Sequence, residues 1–451
     1  MSALNESKTT STSLNLVDKL SGALWGFFIA DSLSMPSHWF YNPDNIIKVF
    51  GPNGITGYID CPPTHAEAFM AGSGYNPAEE ISTPNYRPAD ILHQHSKYYK
   101  IHNSEYDGRS FKESNFAGNR DSHGNALVGA NDSRPHYHVG LKAGENTLQG
   151  EIIRLFLKTS VENNGYNQNQ WLKSFTSYML SAREDCVDPY IEVAIRKYFE
   201  NYSRGLPLYS CAVRQRDTWS TGNCCAMAST IITSLLYPHF LQRGIARAFE
   251  HQALLYRSEQ AMVYGTVLIP LIHQFIHSES TSSQYYFDSL LTVCESIYSA
   301  KISGPELFAK YREYKGPGNI PKDETWQLHN QLREEPIRQE TETFLNSKDS
   351  IKDVEVLRGR YGTACYIEQG IPGIIYLALK YNFNLEAALL ANANVGGDTT
   401  GRGVILGLII GSAIGKSNIP EHLIKGLKNS EKLNREISEF VELAVKGGLK
   451  D

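Results

Sequence analysis

The chain has 451 residues, with 43 Lys and Arg against 48 Asp and Glu, 41% hydrophobic residues and a pI near 6.3. This nearly balanced charge supplies no basic face for a nucleic acid or an anionic membrane, so we expect neither as a partner. The length suggests two or three domains, at roughly 150 residues each.

Along the chain, apolar residues recur mainly at helical spacing. Residues 1–13 are polar and predict a short disordered tail, followed by a domain over residues 14–450. The periodicity predicts helices over Leu14–Leu33, Leu148–Val161, Trp171–Ala182, Tyr190–Tyr202, Cys225–Leu236, Glu259–Phe275, Tyr285–Ser299, Ile371–Lys380, Leu385–Ala393, Gly403–Ile414 and Asn434–Val445. Alternating strand patterns are nearly absent, so the fold class is all-α.

Two stretches interrupt the helical pattern. The first, about 53–135, includes a segment from 93 to 134 that is too poor in aliphatic residues to build a core. The second, about 311–353, is rich in charged residues and typical of a solvated arm. Both are interpreted as loop-rich insertions into one domain rather than as linkers.

The seven cysteines are mostly scattered, which favours a reducing compartment and a cytoplasmic protein. The longest apolar and glycine-containing run, Gly403–Gly415, has 13 residues, whereas a membrane span needs about 20. Its glycines repeat every four residues, as do Gly22, Gly26 and Ala30 near the start. We therefore expect close helix packing at both places.

The segment NVGGDTTGRG, Asn394–Gly403, is the strongest local motif. Gly396 and Gly397 end one helix, and Asp398 stands at the start of the next. There it serves either as a helix cap or as a carboxylate in an anion- or cation-binding site, for which Mg²⁺ is the suitable metal.

This motif resembles the glycine-aspartate signature of the ADP-ribosylglycohydrolase family. Three further blocks resemble that family in the same order: GALWGFFIADSLSMPSHW (Gly22–Trp39), AGENTLQGEIIRL (Ala143–Leu155) and STGNCCAM (Ser220–Met227). The resemblance runs from about residue 15 to 445 and is nearest to the crystallin-J-like branch. It implies a single-domain orthogonal helical bundle whose loops converge on one cleft.

The resemblance also implies chemistry that depends on metal ions. Family members generally hold two Mg²⁺ ions and hydrolyse a glycosidic bond of ADP-ribose. At the matching positions the possible metal ligands here are Glu145, Asp398 and Thr400, while one family aspartate is replaced by Asn146. Two carboxylates are few for two Mg²⁺ ions, so a single ion is the alternative to a binuclear site.

A histidine stands where some family members have a catalytic glutamate. His38 follows Pro36 and Ser37, and it titrates near neutral pH, so we expect it to act as acid or base with Glu145 and Asp398. His136 and His138 precede the AGENT segment and are candidate substrate-binding residues. With the carboxylates they also form a possible Zn²⁺ site, or else are hydrogen-bonded cleft histidines.

The remaining candidate substrate contacts come from two loops. The resemblance places Gly222 and Asn223 at the family's glycine loop and Tyr256 where the family has a histidine. In a third loop, Asn146 is a further candidate. At the glycine loop, the side chain of Cys224 would crowd a bound diphosphate.

Two functions follow as expectations. The first is a hydrolase that cleaves a glycosidic or related bond of an ADP-ribosyl, nucleotide or ribose-containing small molecule. The second is a non-catalytic, crystallin-like member that binds a metabolite or serves a structural role. A metal-independent reaction is a third possibility.

Overall fold

The computed structural model describes residues 2–68, 85–89, 91, 136–181, 188–212, 223–280, 282–293, 337–347 and 351–447. Its helices are α1 (Ser2–Ser34), α2 (Pro43–Phe50), α3 (Leu148–Glu162), α4 (Gln168–Leu180), α5 (Val193–Ser203), α6 (Cys224–Ser234), α7 (Leu241–Leu255), α8 (Glu259–His277), α9 (283–293), α10 (Ile337–Asn346), α11 (Asp353–Val356), α12 (Ile367–Lys380), α13 (Leu385–Val395), α14 (Thr399–Ile414), α15 (Glu421–Gly426) and α16 (Ser430–Lys446).

The all-α prediction is confirmed. Within the described ranges the chain forms no sheet, and an isolated bridge joins Asn223 to Tyr366. None of the described helices is long and apolar enough to cross a membrane.

The first helix is longer than its hydrophobic pattern. It begins at Ser2, where the sequence predicted a disordered tail over residues 1–13. Helix propagation adds one hydrogen bond for each residue fixed, so a helix nucleated by the packed segment from residue 15 onward extends backward at little cost. Polarity alone did not reveal this.

The small residues of α1 and α14 bring the two helices into backbone contact, as expected. A Cβ atom on Gly26 would lie 2.0 Å from the carbonyl oxygen of Gly407, and one on Gly22 would lie 2.4 Å from that of Gly411. Any side chain at these positions would separate the helices. The contact therefore sets the distance between α1 and α14.

Helix α14 is the centre of the fold. Its residues from Thr399 to Ala413 are all buried, and α1, α6, α8, α12 and α13 contact it. A helix that is apolar on all sides must be surrounded in this way. The main hydrophobic cluster runs from Leu16 to Ala444, so both ends of the chain share one core.

The two insertions are described only in part. Residues 69–84, 90 and 92–135 of the first lie outside the described residues, as do 311–336 and 348–350 of the second. The second insertion contains α10, where Thr341 is buried and the ring of Phe344 lies 6.4 Å from that of Tyr376. This part of the charged stretch therefore packs on the domain.

Candidate functional site

The glycine pair before α14 docks on the segment that follows α1. The N–H of Trp39 donates to the Gly397 carbonyl at 2.7 Å, and the N–H of Gly397 donates to the Phe40 carbonyl at 2.7 Å. Gly396 and Gly397 both have positive φ, and a Cβ on Gly396 would lie 2.1 Å from the Phe40 oxygen. Only glycine fits this contact, which brings Asp398 beside His38.

Asp398 caps α14 and also accepts from a histidine. Its Oδ1 accepts from the N–H of Gly401 at 3.1 Å and lies 3.1 Å from Nε2 of His38. Burial alone would raise the pKa of Asp398, but the hydrogen bond and charge of His38 and the guanidinium of Arg402 outweigh it and hold the pKa below its usual value. Asp398 is therefore a buried anion.

Four buried side chains form a continuous hydrogen-bonded chain, which we call the histidine relay: Asp398, His38, His138 and Asp188. Nδ1 of His38 lies 2.7 Å from Nε2 of His138, and Nδ1 of His138 lies 2.9 Å from Oδ1 of Asp188. With the Asp398 contact, the relay has three links between two carboxylates.

The relay has a defined proton requirement. Three hydrogen bonds need three protons, whereas two neutral imidazoles carry two, so a fully bonded relay holds one imidazolium. Burial lowers the pKa of His38, and the carboxylate of Asp398 opposes that effect. Loss of the extra proton leaves one of the three links unbonded.

Asp188 is the last residue of the relay and lines the pocket, and it was not identified from the sequence. Its Oδ2 accepts from the N–H of Leu148 at 2.8 Å, and its Oδ1 accepts from the N–H of Tyr190 at 3.1 Å and faces His138. Two carboxylate oxygens offer about four acceptor sites, so the described residues leave one site on Oδ2 unused.

Glu192 is a second carboxyl group that the sequence did not single out. Desolvation raises its pKa to about 8, although the amide of Asn223 favours the ionised form. The Tyr256 hydroxyl donates to Oε1, and Asn223 Nδ2 donates to Oε2 at 3.3 Å. Glu192 is partly open to the pocket and is mainly protonated at neutral pH.

These groups line one pocket. Its polar lining residues include His38, His138, Asp188, Glu192 and Thr400, and the rest of the wall is mainly aliphatic and aromatic side chains from α3, α4, α5 and α7. The space between protein atoms is about 750 Å³ with the mouth included, but only about 60 Å³ of it is wide enough for the centre of a water molecule. The pocket is therefore narrow.

A model of the ADP-ribosylglycohydrolase family matches residues 103–448. The chain belongs to this family. A solved structure described as an ADP-ribosylglycohydrolase-related protein complex aligns with 95% of this chain and 99% of its own, at 12% identity and a TM-score of 0.46. No curated protein matches.

Several residues expected from the family resemblance do meet in the pocket. The pocket is lined by His38, His138, Tyr256 and Thr400. Asn223 does not line it but donates a hydrogen bond to Glu192, which does. The Thr400 hydroxyl is buried and has no hydrogen-bond partner among the described residues. Gly222 lies outside the described residues.

Glu145 is not among the residues that line the pocket. Its Oε2 accepts from the N–H of Lys142 at 2.8 Å, and Oε1 pairs with the ammonium group of Lys428. The preceding Gly144 has positive φ, and its carbonyl accepts from the N–H of Lys428 at 2.8 Å. The AGENT turn thus holds Glu145 against the connection between α15 and α16, away from Asp398.

Asn146 and His136 support the site without lining the pocket. Asn146 Nδ2 donates to the Phe28 carbonyl at 2.8 Å and to Oδ2 of Asp31 at 3.0 Å. Nδ1 of His136 accepts from the N–H of His138 at 3.0 Å and lies 2.8 Å from Sγ of Cys61. Both residues position the segments that carry the relay and the start of α3.

The two Mg²⁺ ions of the family do not fit the donors of this chain. Glu145 is paired with Lys428, Asp398 Oδ1 is bonded to His38 and Gly401, and the family's other acidic positions hold Asn146 and Thr400. Among the described residues, no three His, Cys, Asp or Glu side chains are arranged to hold a metal ion. The described residues at these positions lack the negative charge that two close divalent ions need.

The missed residues left a weak trace in the sequence. Asp188 and Glu192 lie four residues apart in DPYIE, and the helix predicted over Tyr190–Tyr202 includes Glu192. The helix begins only at Val193, so both carboxylates belong to the turn that enters the pocket. Two acids before a helix are not distinctive without this placement.

Proposed function

We propose that the protein is a hydrolase that cleaves a glycosidic or related bond of a ribose-containing small molecule in this pocket, with Glu192 as the general acid. The observation that carries the proposal is the raised pKa of Glu192, about 8, in a pocket that Asp188 also lines. A carboxylic acid that keeps its proton at neutral pH can donate it to a leaving group.

Glu192 is held in place by two neighbours. The hydroxyl of Tyr256 and the amide of Asn223 each contact a different carboxyl oxygen. After the proton has left, both donors stabilise the carboxylate that remains. The family resemblance suggested Asn223 and Tyr256 as substrate contacts, whereas their role in this proposal is to orient the acid.

Asp188 is the proposed general base. A water molecule gives one proton to Oδ2 of Asp188 while its oxygen forms a bond to the sugar carbon. The bond to the leaving atom breaks with its electron pair, and that atom takes the proton of Glu192. The products are the free sugar and the protonated leaving group, and the proton returns from Asp188 to Glu192 through solvent.

The relay orients this base. The bond from His138 fixes Oδ1 of Asp188, and His38 and Asp398 in turn fix His138. The unpaired hydroxyl of Thr400 is a proposed contact for a sugar hydroxyl. We infer that His38 acts through His138 rather than on the substrate, because both of its ring nitrogens are already bonded.

A second candidate is the non-catalytic function. The narrowness of the pocket and the loss of the family's metal carboxylates favour it. A member of this kind would bind a metabolite without turning it over.

Hydrolysis assays distinguish the two functions. Purified protein in EDTA is tested with ADP-ribosyl compounds, nucleotides and nucleosides, and the best substrate is tested again with Glu192→Gln and with Glu421→Gln as an exposed control. We expect Glu192→Gln to lower kcat by about 10²- to 10⁴-fold and the control to leave it unchanged. Unchanged turnover in Glu192→Gln would exclude the proposed acid, and absence of turnover with all substrates would favour the binding function.

A further inference from the structure

One part of the pocket wall has a distinct composition. Phe156, Trp171 and His251 line it together with aliphatic residues of α3, α5 and α7. We call these three residues the aromatic compartment. The edge-to-face rings of His251 and Trp171 have centroids 4.5 Å apart, and those of His251 and Phe156 are 4.9 Å apart.

His251 is the polar member of the aromatic compartment. Burial lowers its pKa to about 3, so its ring is neutral throughout the physiological range. Nδ1 lies 3.1 Å from the hydroxyl of Tyr166, and Nε2 has no hydrogen bond to the described residues. The ring therefore offers one hydrogen bond to a ligand, as donor or acceptor according to its tautomer.

The charges around the pocket argue against an anionic ligand. Its lining residues in the described part of the chain include Asp188 and Glu192 but no Lys or Arg. Phosphate recognition normally relies on cations or on several free backbone amides. A phosphate here would meet carboxyl groups without a described cation to neutralise it.

We propose that the aromatic compartment binds an uncharged ring of the substrate, so that the substrate is a non-phosphorylated glycoside whose leaving group is a small neutral ring. This inference rests on the proposed function, because Glu192 must face the bond between the sugar and that ring. The ring stacks among Phe156 and Trp171 and makes one hydrogen bond to Nε2 of His251. It enters by displacing lining side chains, since a cavity of about 150 Å³ is needed to hold benzene.

The test uses two small probes of nearly the same shape, benzamide and benzoate, with the full-length protein. Calorimetry measures the affinity of each for the wild type, for His251→Phe and for His422→Phe, an exposed control. We expect benzamide to bind the wild type at least about 10-fold more tightly than benzoate, because the anion loses hydration without gaining a cation. His251→Phe keeps a ring in place and should weaken benzamide about 2- to 10-fold through the lost hydrogen bond, while the control leaves its affinity unchanged.

The outcomes separate this inference from the proposed function. Equal binding of benzoate and benzamide, no binding of either, or unchanged benzamide affinity in His251→Phe overturns the aromatic compartment. If benzamide binds as expected but Glu192→Gln does not affect hydrolysis, the compartment stands and the proposed acid is wrong.

Discussion

Nδ1 of His38 lies 2.7 Å from Nε2 of His138, and the other ring nitrogen of each histidine contacts a buried aspartate. A histidine that faces another histidine and a carboxylate has no nitrogen left for a substrate. In the proposed mechanism the reacting carboxylate is therefore that of Asp188, whereas the sequence had indicated His38.

Removing the negative charge of Asp398 should lower the number of protons that the relay holds. Asp398→Asn keeps an oxygen for the Gly401 N–H but removes the anion that favours the third proton. We expect the proton NMR signal of the short bond between His38 and His138 to disappear, and turnover to fall. Asp353→Asn, which alters a carboxylate paired with Lys380, is the control. Retention of the signal in Asp398→Asn would show that the relay does not need this anion.

A second prediction concerns Glu259, which is buried at the start of α8. Neither of its carboxyl oxygens has a partner among the described residues, and burial raises its pKa to about 8. The unfolded chain releases this proton near the usual pKa of 4.5, so stability should fall as the pH rises from about 4.5 to 8 and then level off.

Glu259→Gln removes this titration. Thermal unfolding at pH 4 and pH 8 should show a higher Tm for the variant than for the wild type at pH 8, and a smaller difference at pH 4. The exposed Glu421→Gln should give no such pattern. If Glu259→Gln lowers the Tm equally at both pH values, the carboxyl group is stabilised by contacts that the geometry does not reveal.

The contact between α1 and α14 predicts a strong steric effect. Gly26→Ala places a methyl group 2.0 Å from the Gly407 oxygen, so the helices must separate. We expect a loss of about 1–3 kcal/mol in the free energy of unfolding, measured with urea. Gly57→Ala has open space around its Cβ and serves as the control. Equal stabilities of the two variants would mean that the helices pack less closely.

Removal of metal ions should have little effect on the thermal stability of the protein. Because Glu145 pairs with Lys428, Asp398 is bonded to His38, and the two other acidic metal positions of the family hold Asn146 and Thr400, millimolar Mg²⁺ should not raise the Tm relative to EDTA. Lys428→Ala frees Glu145 and shows whether that ion pair is what prevents binding. A saturable rise in the Tm of the wild type with Mg²⁺ would show that the protein does bind the ion.

The sequence predicted the helical fold well because the apolar periodicity of each helix is a local property of the chain. The family resemblance proposed His38, Asp398 and Thr400 for one cleft, and in the structure His38 contacts Asp398 and lines the same pocket as Thr400. It failed for Glu145, because the partner Lys428 is 283 residues away. Asp188 and Glu192 were missed for a similar reason: their roles depend on burial and on contacts with His138 and Tyr256, which spacing does not reveal.

The pH dependence of hydrolysis tests the proposed acid most directly. With the best substrate in EDTA, kcat/KM of the wild type should fall as the pH rises through about 8, because Glu192 then loses the proton that the leaving group needs. Glu192→Gln should lower kcat/KM and remove this alkaline decline. A wild-type profile that stays flat to well above pH 8, or a Glu192→Gln variant that keeps the same decline, would contradict the assignment of Glu192 as the general acid.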